Sequence, residues 1–153
     1  MSTVRPITVR PVTGDDRAEW ARLFAEYGVF YETPLDEGVV SGVWQWLMDD
    51  THEVRALVAV ADGGALVGFA HYRRYARTFT AGSAWNVDDL YVSPAARGAG
   101  VATALIEAVA DACGAAGGGT LRWITAASNE TAQRVYDRVA DRTSWITYER
   151  KVD

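Results

Sequence analysis

Apolar residues recur along the chain with two different spacings, and each change of spacing marks a change of element. Thr8 to Val12 reads as a short strand, closed by Pro11 and Gly14. Asp15 or Asp16 is placed to cap a helix in which Trp20, Leu23, Phe24 and Tyr27 fall at i, i+3, i+4 and i+7, with Gly28 placed to end it. Past Pro34 the same spacing returns in Val40, Val43, Trp44 and Leu47, predicting a second helix.

A continuous apolar run follows from Arg55 to Ala61. The turn signal Asp62-Gly63-Gly64 and the run Leu66 to Arg74 complete a predicted hairpin. Ser83 to Val92 is a third long strand, stopped by Ser93-Pro94. Val101, Leu105, Ala108, Val109 and Ala112 share one face of a helix that Gly117-Gly118-Gly119 breaks. Leu121 to Ala126 then reads as a buried strand, Glu130 to Val139 as a helix with Ala132, Val135, Tyr136 and Val139 on one face, and Trp145 to Lys151 as a closing strand. The predicted order is β-α-α-β-β-β-α-β-α-β. Helical crossovers imply parallel strands and the hairpin is antiparallel, so the expected fold is α/β with a mixed sheet, in one domain over residues 1–153.

Composition narrows the partners. The net charge is −5 with no dense Lys/Arg block, and the nearest basic cluster is Arg73, Arg74 and Arg77. Nucleic-acid binding, which neutralises several phosphates, is not expected. No apolar run reaches the roughly 20 residues that span a bilayer, and the first residues lack a secretory profile. No membrane association is expected, and a cytoplasmic location is the default. The single cysteine, Cys113, has no second thiol for a disulfide or a metal, and no metal is implied.

The stretch from Asp88 to Ala102 carries the chemistry. A strand ends at Pro94, a loop presents Arg97, and Gly98 and Gly100 stand where the next helix begins. Glycines there let a ligand approach the backbone, and the unpaired amides of the first helical turn form an anion site reinforced by the helix dipole. A P-loop would continue Gly-Lys-Ser/Thr, whereas Gly100 is followed by Val101-Ala102. A dinucleotide fingerprint needs a third glycine and an acid roughly 20 residues on, and both are missing.

The surviving pattern resembles the GNAT acetyltransferase superfamily. Arg97, Gly100 and Ala102 meet its Arg/Gln-x-x-Gly-x-Gly/Ala signature after a strand ending Leu90-Tyr91-Val92, and Asn129, Ala132 and Tyr136 meet its Asn-x-x-Ala-x-x-x-Tyr signature. The element order agrees over nearly the whole chain. One departure is Ala140-Asp141, where family members often carry Gly-Phe.

The resemblance implies a GNAT-like acyl-CoA N-acyltransferase fold and acetyl-CoA as cosubstrate, with acetyl passing to a primary amine by direct attack in a ternary complex. It assigns the pyrophosphate to Arg97, Gly98, Ala99, Gly100, Val101 and Ala102. The pantetheine arm falls to a splayed strand at Leu90, Tyr91 and Val92, with Asn129 as a helix cap or pantetheine contact. Tyr136 resembles the family's general acid for the leaving thiolate. Asp88 is the first candidate base and His71 a second, with a water chain as a third route.

The first two helices and the loop between the third and fourth strands are expected to line an acceptor pocket. They hold Tyr27, Phe30, Tyr31, Glu32, Trp44, Trp46, Tyr75, Phe79 and Trp85; Tyr31 from this set and His71 from the third strand are the substrate-contact candidates. The acceptor is a small-molecule or peptide amine. Such folds often pair, so a homodimer is among the expectations. The alternative reading is a non-catalytic acyl-CoA-binding or sensing module, and the retained Tyr136 and Asp88 favour the enzyme.

Overall fold

The computed structural model describes residues 6–153 and builds them around one five-stranded sheet in the order β1-β2-β3-β4-β5. The elements are β1 (Ile7–Pro11), α1 (Arg17–Phe30), α2 (Glu37–Met48), β2 (Val54–Ala61), β3 (Leu66–Arg77), β4 (Gly82–Val92), α3 (Val101–Ala115), β5 (Leu121–Arg122) and α4 (Glu130–Val139). Among the described residues only β4 and β5 run parallel. The strand β1 lies antiparallel to β2, although helices join them. Two helices in series reverse the chain twice, so parallel pairing is expected only across the single-helix crossover α3.

Helices cover both faces of this sheet. On one, α1 and α2 bury Trp20, Leu23, Phe24, Trp44 and Leu47 against Val58, Phe69 and Tyr91. On the other, α3 buries Val101, Leu105, Val109 and Cys113 against Leu57, Ala70, Tyr72, Trp85 and Val87. Each helix presents the stripe its sequence spacing predicts.

Three expectations need correction. Gly28 does not end α1, which continues to Phe30. A Cβ there would stand 2.8 Å from both Leu35 Cγ and the Thr33 carbonyl, so this glycine is required by the chain returning across the helix. Neither Asp15 nor Asp16 caps α1 with its side chain. Asp16 instead accepts from the Thr13 amide at 2.7 Å and from two Arg10 nitrogens at 2.8 and 3.0 Å, clamping β1 to the helix start.

The third correction concerns the C-terminal end. Pairing of β5 covers two residues rather than six, and Trp145 to Lys151 forms no strand. Local preference cannot make a strand without a neighbour to complete its hydrogen bonds. Among the described residues this segment has none.

Candidate active site

Pairing along β4 is interrupted in the middle. His71 faces Asp89 across the ladder and Tyr72 faces Val87, leaving Asp88 as an extra residue on β4. Such a bulge shifts the alternation of faces by one position. Val87 and Leu90 therefore both pack toward α3, and Asp88 and Asp89 both turn toward the α1/α2 side. Two consecutive carboxylates on one face are the product of that single extra residue.

The two aspartates have different surroundings. Arg73 Nε lies 3.1 and 3.0 Å from the two oxygens of Asp88, and the Asn86 amide donates to it at 2.8 Å. Asp89, with a quarter of its side chain exposed, is 2.9 Å from His71 Nδ1. His71 is only 2 % exposed, and its other nitrogen accepts the Trp20 indole N–H at 3.0 Å. With Nε2 accepting, the ring proton belongs on Nδ1 and is donated to Asp89. Burial tends to raise the Asp89 carboxyl. The hydrogen bond from His71, with that from the facing Tyr27 hydroxyl, outweighs it and holds the group below the usual carboxylate range. Tyr27 is pushed upward, by burial first and then by the Asp89 charge.

A cleft of about 330 Å³ opens onto this pair between Trp46, His52, Glu53, His71, Arg73 and the two aspartates. Trp46 stacks on His52 with ring centroids 4.7 Å apart. On the other side of Asp89, Tyr31 lies 4.9 Å from Tyr27, and both are close enough to Tyr136 for their charges to matter to one another. Tyr136, half-buried on α4, packs edge-on against Trp123 at 5.5 Å. Burial, and then Tyr31, hold its phenol above the ordinary value.

The cofactor candidates meet at the other end of β4. Because β5 pairs only with Trp85 and Asn86, β4 has no neighbouring strand among the described residues on that side from Val87 onward. Leu90, Tyr91 and Val92 lie along this open edge, whose free backbone groups are available to an extended ligand. Beyond it, Gly98 and Gly100 take left-handed φ values of 83° and 78°, conformations that favour glycine. No atom lies within 4 Å of a Cβ built at either position.

Gly100 is the N-cap of α3 and offers no side chain to its first-turn amides. Those of Val101 and Ala102 are thus left for an outside acceptor. Arg97, over the Phe30 and Tyr91 rings at 5.4 and 5.8 Å, donates to the Val92 carbonyl at 3.1 Å and ties the loop to the strand end. A polyanion followed by a polar extended arm fits this surface: the anion on the helix start, the arm along β4.

Asn129 caps α4 by accepting from the Ala132 amide at 3.2 Å, as one of its two expected roles. Of the aromatic residues expected around an acceptor, Trp44 and Trp85 belong to the two cores and Phe79 stands exposed in the β3–β4 turn. Tyr27 and Tyr31 cluster beside Asp89, and Trp46 lines the cleft. Asp89 and Trp20 are brought to His71 without being among the expected site residues. The sequence signal for Asp89 is the doublet Asp88-Asp89 inside an apolar strand, which regular alternation cannot place on one face. No helix among the described residues is long and apolar enough to cross a membrane.

Comparison with known proteins agrees with this geometry. The model of the acetyltransferase (GNAT) family matches residues 17–140. A D-amino-acid N-acetyltransferase of Saccharomyces cerevisiae is 30% identical over 145 residues, covering 94% of this chain and 90% of its own. A ribosomal-protein-alanine N-acetyltransferase from Brucella melitensis superposes with a TM-score of 0.79 at 26% identity, over 97% of this chain and all of the other. An aminoglycoside N-acetyltransferase solved in complex with CoA superposes with a TM-score of 0.80 at 20% identity, covering 96% of this chain and 95% of that one, a likeness of fold. With the family model matched over residues 17–140 and a relative 30% identical over 94% of its length, the chain belongs to the GNAT family and is an N-acetyltransferase.

Proposed function

We propose that the protein transfers acetyl from acetyl-CoA directly to the primary amine of a small acceptor, with amino acids as the first class. The carrying observation is that β4 joins the two halves of the site: its bulge turns Asp88 and Asp89 toward one cleft, and its open edge runs on to the uncapped start of α3. Backbone amides of the Arg97–Ala102 loop hold the pyrophosphate, and the β4 edge at Leu90 to Val92 holds the pantetheine arm. A free β4 amide polarises the thioester carbonyl as charge grows on its oxygen.

Direct attack is favoured over an acyl-enzyme. Cys113 is on the buried face of α3, and burial pushes its thiol up to about 11, away from the nucleophilic thiolate form. The cleft carries both signs of charge, acids in Asp88, Asp89 and Glu53 and a guanidinium in Arg73. That mixture suits a zwitterion, and the yeast relative is named for D-amino acids. The carboxylates receive the ammonium group, Arg73 faces the acceptor's carboxylate, and Tyr31 closes the opposite wall.

An ammonium group must lose a proton before it attacks. Asp88, at the cleft rim, is the proposed base. A second reading gives the proton to Asp89, because Arg73 and Asn86 already engage Asp88 while His71 binds one Asp89 oxygen and the other remains for the tyrosine cluster. Within this reading His71 orients the carboxylate, since its own Nε2 is already occupied.

The two single substitutions discriminate. The residue that takes the proton loses kcat/KM by about 10² to 10⁴-fold on change to asparagine, with partial recovery as pH rises and free amine accumulates. The other mainly raises KM. Equal turnover of Asp88→Asn, Asp89→Asn and the unmodified enzyme, measured on an accepted amine, would remove both from the mechanism.

A further inference from the structure

The basic cluster Arg73, Arg74 and Arg77 lies on β3, which divides it between two faces of the sheet. Arg73 turns to Asp88 at the cleft. Alternation along the strand sends its neighbour Arg74 to the opposite face. There its guanidinium lies 6.0 Å from the ring centroid of Trp85, a member of the core that α3 covers. On that side Arg74 and Arg77 line a groove of about 410 Å³ with Thr80, Ser83, Thr120 and the turn Gly117-Gly118-Gly119 that follows α3. No acidic side chain lines it. Neither arginine has a carboxylate partner among the described residues, in a chain whose net charge is −5.

The groups around this groove are set to donate. Arg74 Nε donates to Ser83 Oγ at 2.6 Å, and Arg77 donates to Thr120 Oγ1 at 3.1 Å. Each hydroxyl oxygen is already an acceptor, so its own proton remains for a ligand. The amides of Gly119 and Thr120 donate to no acceptor among the described residues. The carbonyl end of α3 would repel an anion, but the turn satisfies it. Amides of Ala116, Gly117 and Gly118 take up the Ala112, Cys113 and Gly114 oxygens, and the Trp85 indole donates to the Gly118 oxygen at 3.1 Å. At Gly119, with φ 118°, a Cβ would strike the Ser83 carbonyl, so only glycine lets this turn lie against the start of β4.

We infer that this groove binds a phosphate monoester, on the face of the sheet away from the acetyl-transfer cleft. Guanidinium forks match phosphate and carboxylate alike. Two forks already fill the oxygens of a carboxylate, whereas the added hydroxyls and amides call for the further acceptor oxygen of a phosphate group. The volume leaves room for a small organic group beyond the phosphate. Arg74 and Arg77 are held by Ser83, Trp85 and Thr120 before any ligand arrives, which lowers the cost of ordering them. The site is separate from the one assigned to the CoA pyrophosphate. The 15 residues of α3 put about 22 Å between its first turn and this groove. A nucleic-acid strand needs several phosphate contacts along its length, and the groove offers two arginines in one place. The inference does not depend on the acetyl acceptor.

Titration of inorganic phosphate and of glycerol 3-phosphate into the isotope-labelled full chain, followed by amide resonances, tests the site without reference to turnover. The Gly117 to Thr120 signals shift and saturate. Those of Val101 and Ala102 report separately on any phosphate held at the start of α3. The double variant Arg74→Gln, Arg77→Gln weakens the first response by about tenfold or more. It leaves any response at Val101 and Ala102 as it was, and it keeps its circular dichroism because neither side chain belongs to a core. Acetate at the same ionic strength moves the Gly117 to Thr120 signals much less. Signals there that stay in place, shifts that persist in the double variant, or an equal response to acetate would each overturn the site. A single-stranded oligonucleotide that binds through the same amides far more tightly than glycerol 3-phosphate would overturn it too, by making the groove a nucleic-acid contact.

Discussion

Tyr136→Phe lowers kcat by about 10²-fold or more, the range of a lost general acid, and leaves acetyl-CoA binding nearly unchanged. The phenol sits on α4 against Trp123, beside the Tyr27–Tyr31 pair and behind Asp89. Its hydroxyl matters chiefly as negative charge forms on the departing sulfur, so the loss falls on kcat rather than on binding. The pH dependence carries the sign of the assignment. Activity requires the protonated phenol, and burial followed by Tyr31 raises its pKa, so the active form persists above the ordinary phenol value of about 10. The unmodified enzyme keeps its rate to that limit and then declines, and Tyr136→Phe loses the alkaline decline along with the rate. Edge-on packing against Trp123 survives in phenylalanine, so folding is not at issue. A variant turning over at the unmodified rate would leave Tyr136 a packing residue.

Gly100→Asp weakens CoA and acetyl-CoA by at least about 100-fold, near 2.7 kcal/mol, while the fold persists. Gly100 has a φ of 78°, a region that aspartate enters more readily than most L residues. No neighbour obstructs its Cβ. The new carboxylate can occupy the first-turn amides of α3 itself, and it opposes any anion brought to the same place. Gly100→Ala is the control. It adds a Cβ and a modest backbone strain but no charge, and retains most of the affinity. Calorimetry giving the Gly100→Asp variant the same CoA affinity as the unmodified protein would place the pyrophosphate elsewhere.

The proposed cofactor end of this site is readable from the sequence because it is local. Arg97, Gly100 and Ala102 lie within six residues, and the chemistry of a helix start follows from that spacing. Asn129, the cap of α4, and Tyr136 within it are proposed from the family signature they match over eight residues. The acceptor end depends on contacts distant in sequence. Trp20 reaches His71 across 51 positions, and His71 reaches Asp89 across 18. The Asp88 bulge, which turns both aspartates to one face, exists only in the pairing of β4 with β3.

Strand limits failed in the same way. The apolar run Leu121 to Ala126 predicts six residues, but β4 and β5 pair over only two, which leaves the edge of β4 open beyond them. Trp145 to Lys151 has the composition of a strand and no neighbour within the described residues. At Gly28 the sequence signal was real but its cause was mistaken: the glycine answers to Thr33 and Leu35 crossing above it.

The central claim is acetyl transfer from acetyl-CoA to an amine in this cleft. Its most direct measurement is mass spectrometry of the purified full-length chain incubated with acetyl-CoA and a pool of D- and L-amino acids, polyamines, aminoglycosides and alanine-terminated peptides. The account predicts an N-acetylated amine formed in step with free CoA, with amino acids first among the products and none formed by Gly100→Asp. Acetyl-CoA that stays intact with every amine, in a folded protein that binds CoA, would contradict it and leave an acyl-CoA-binding module.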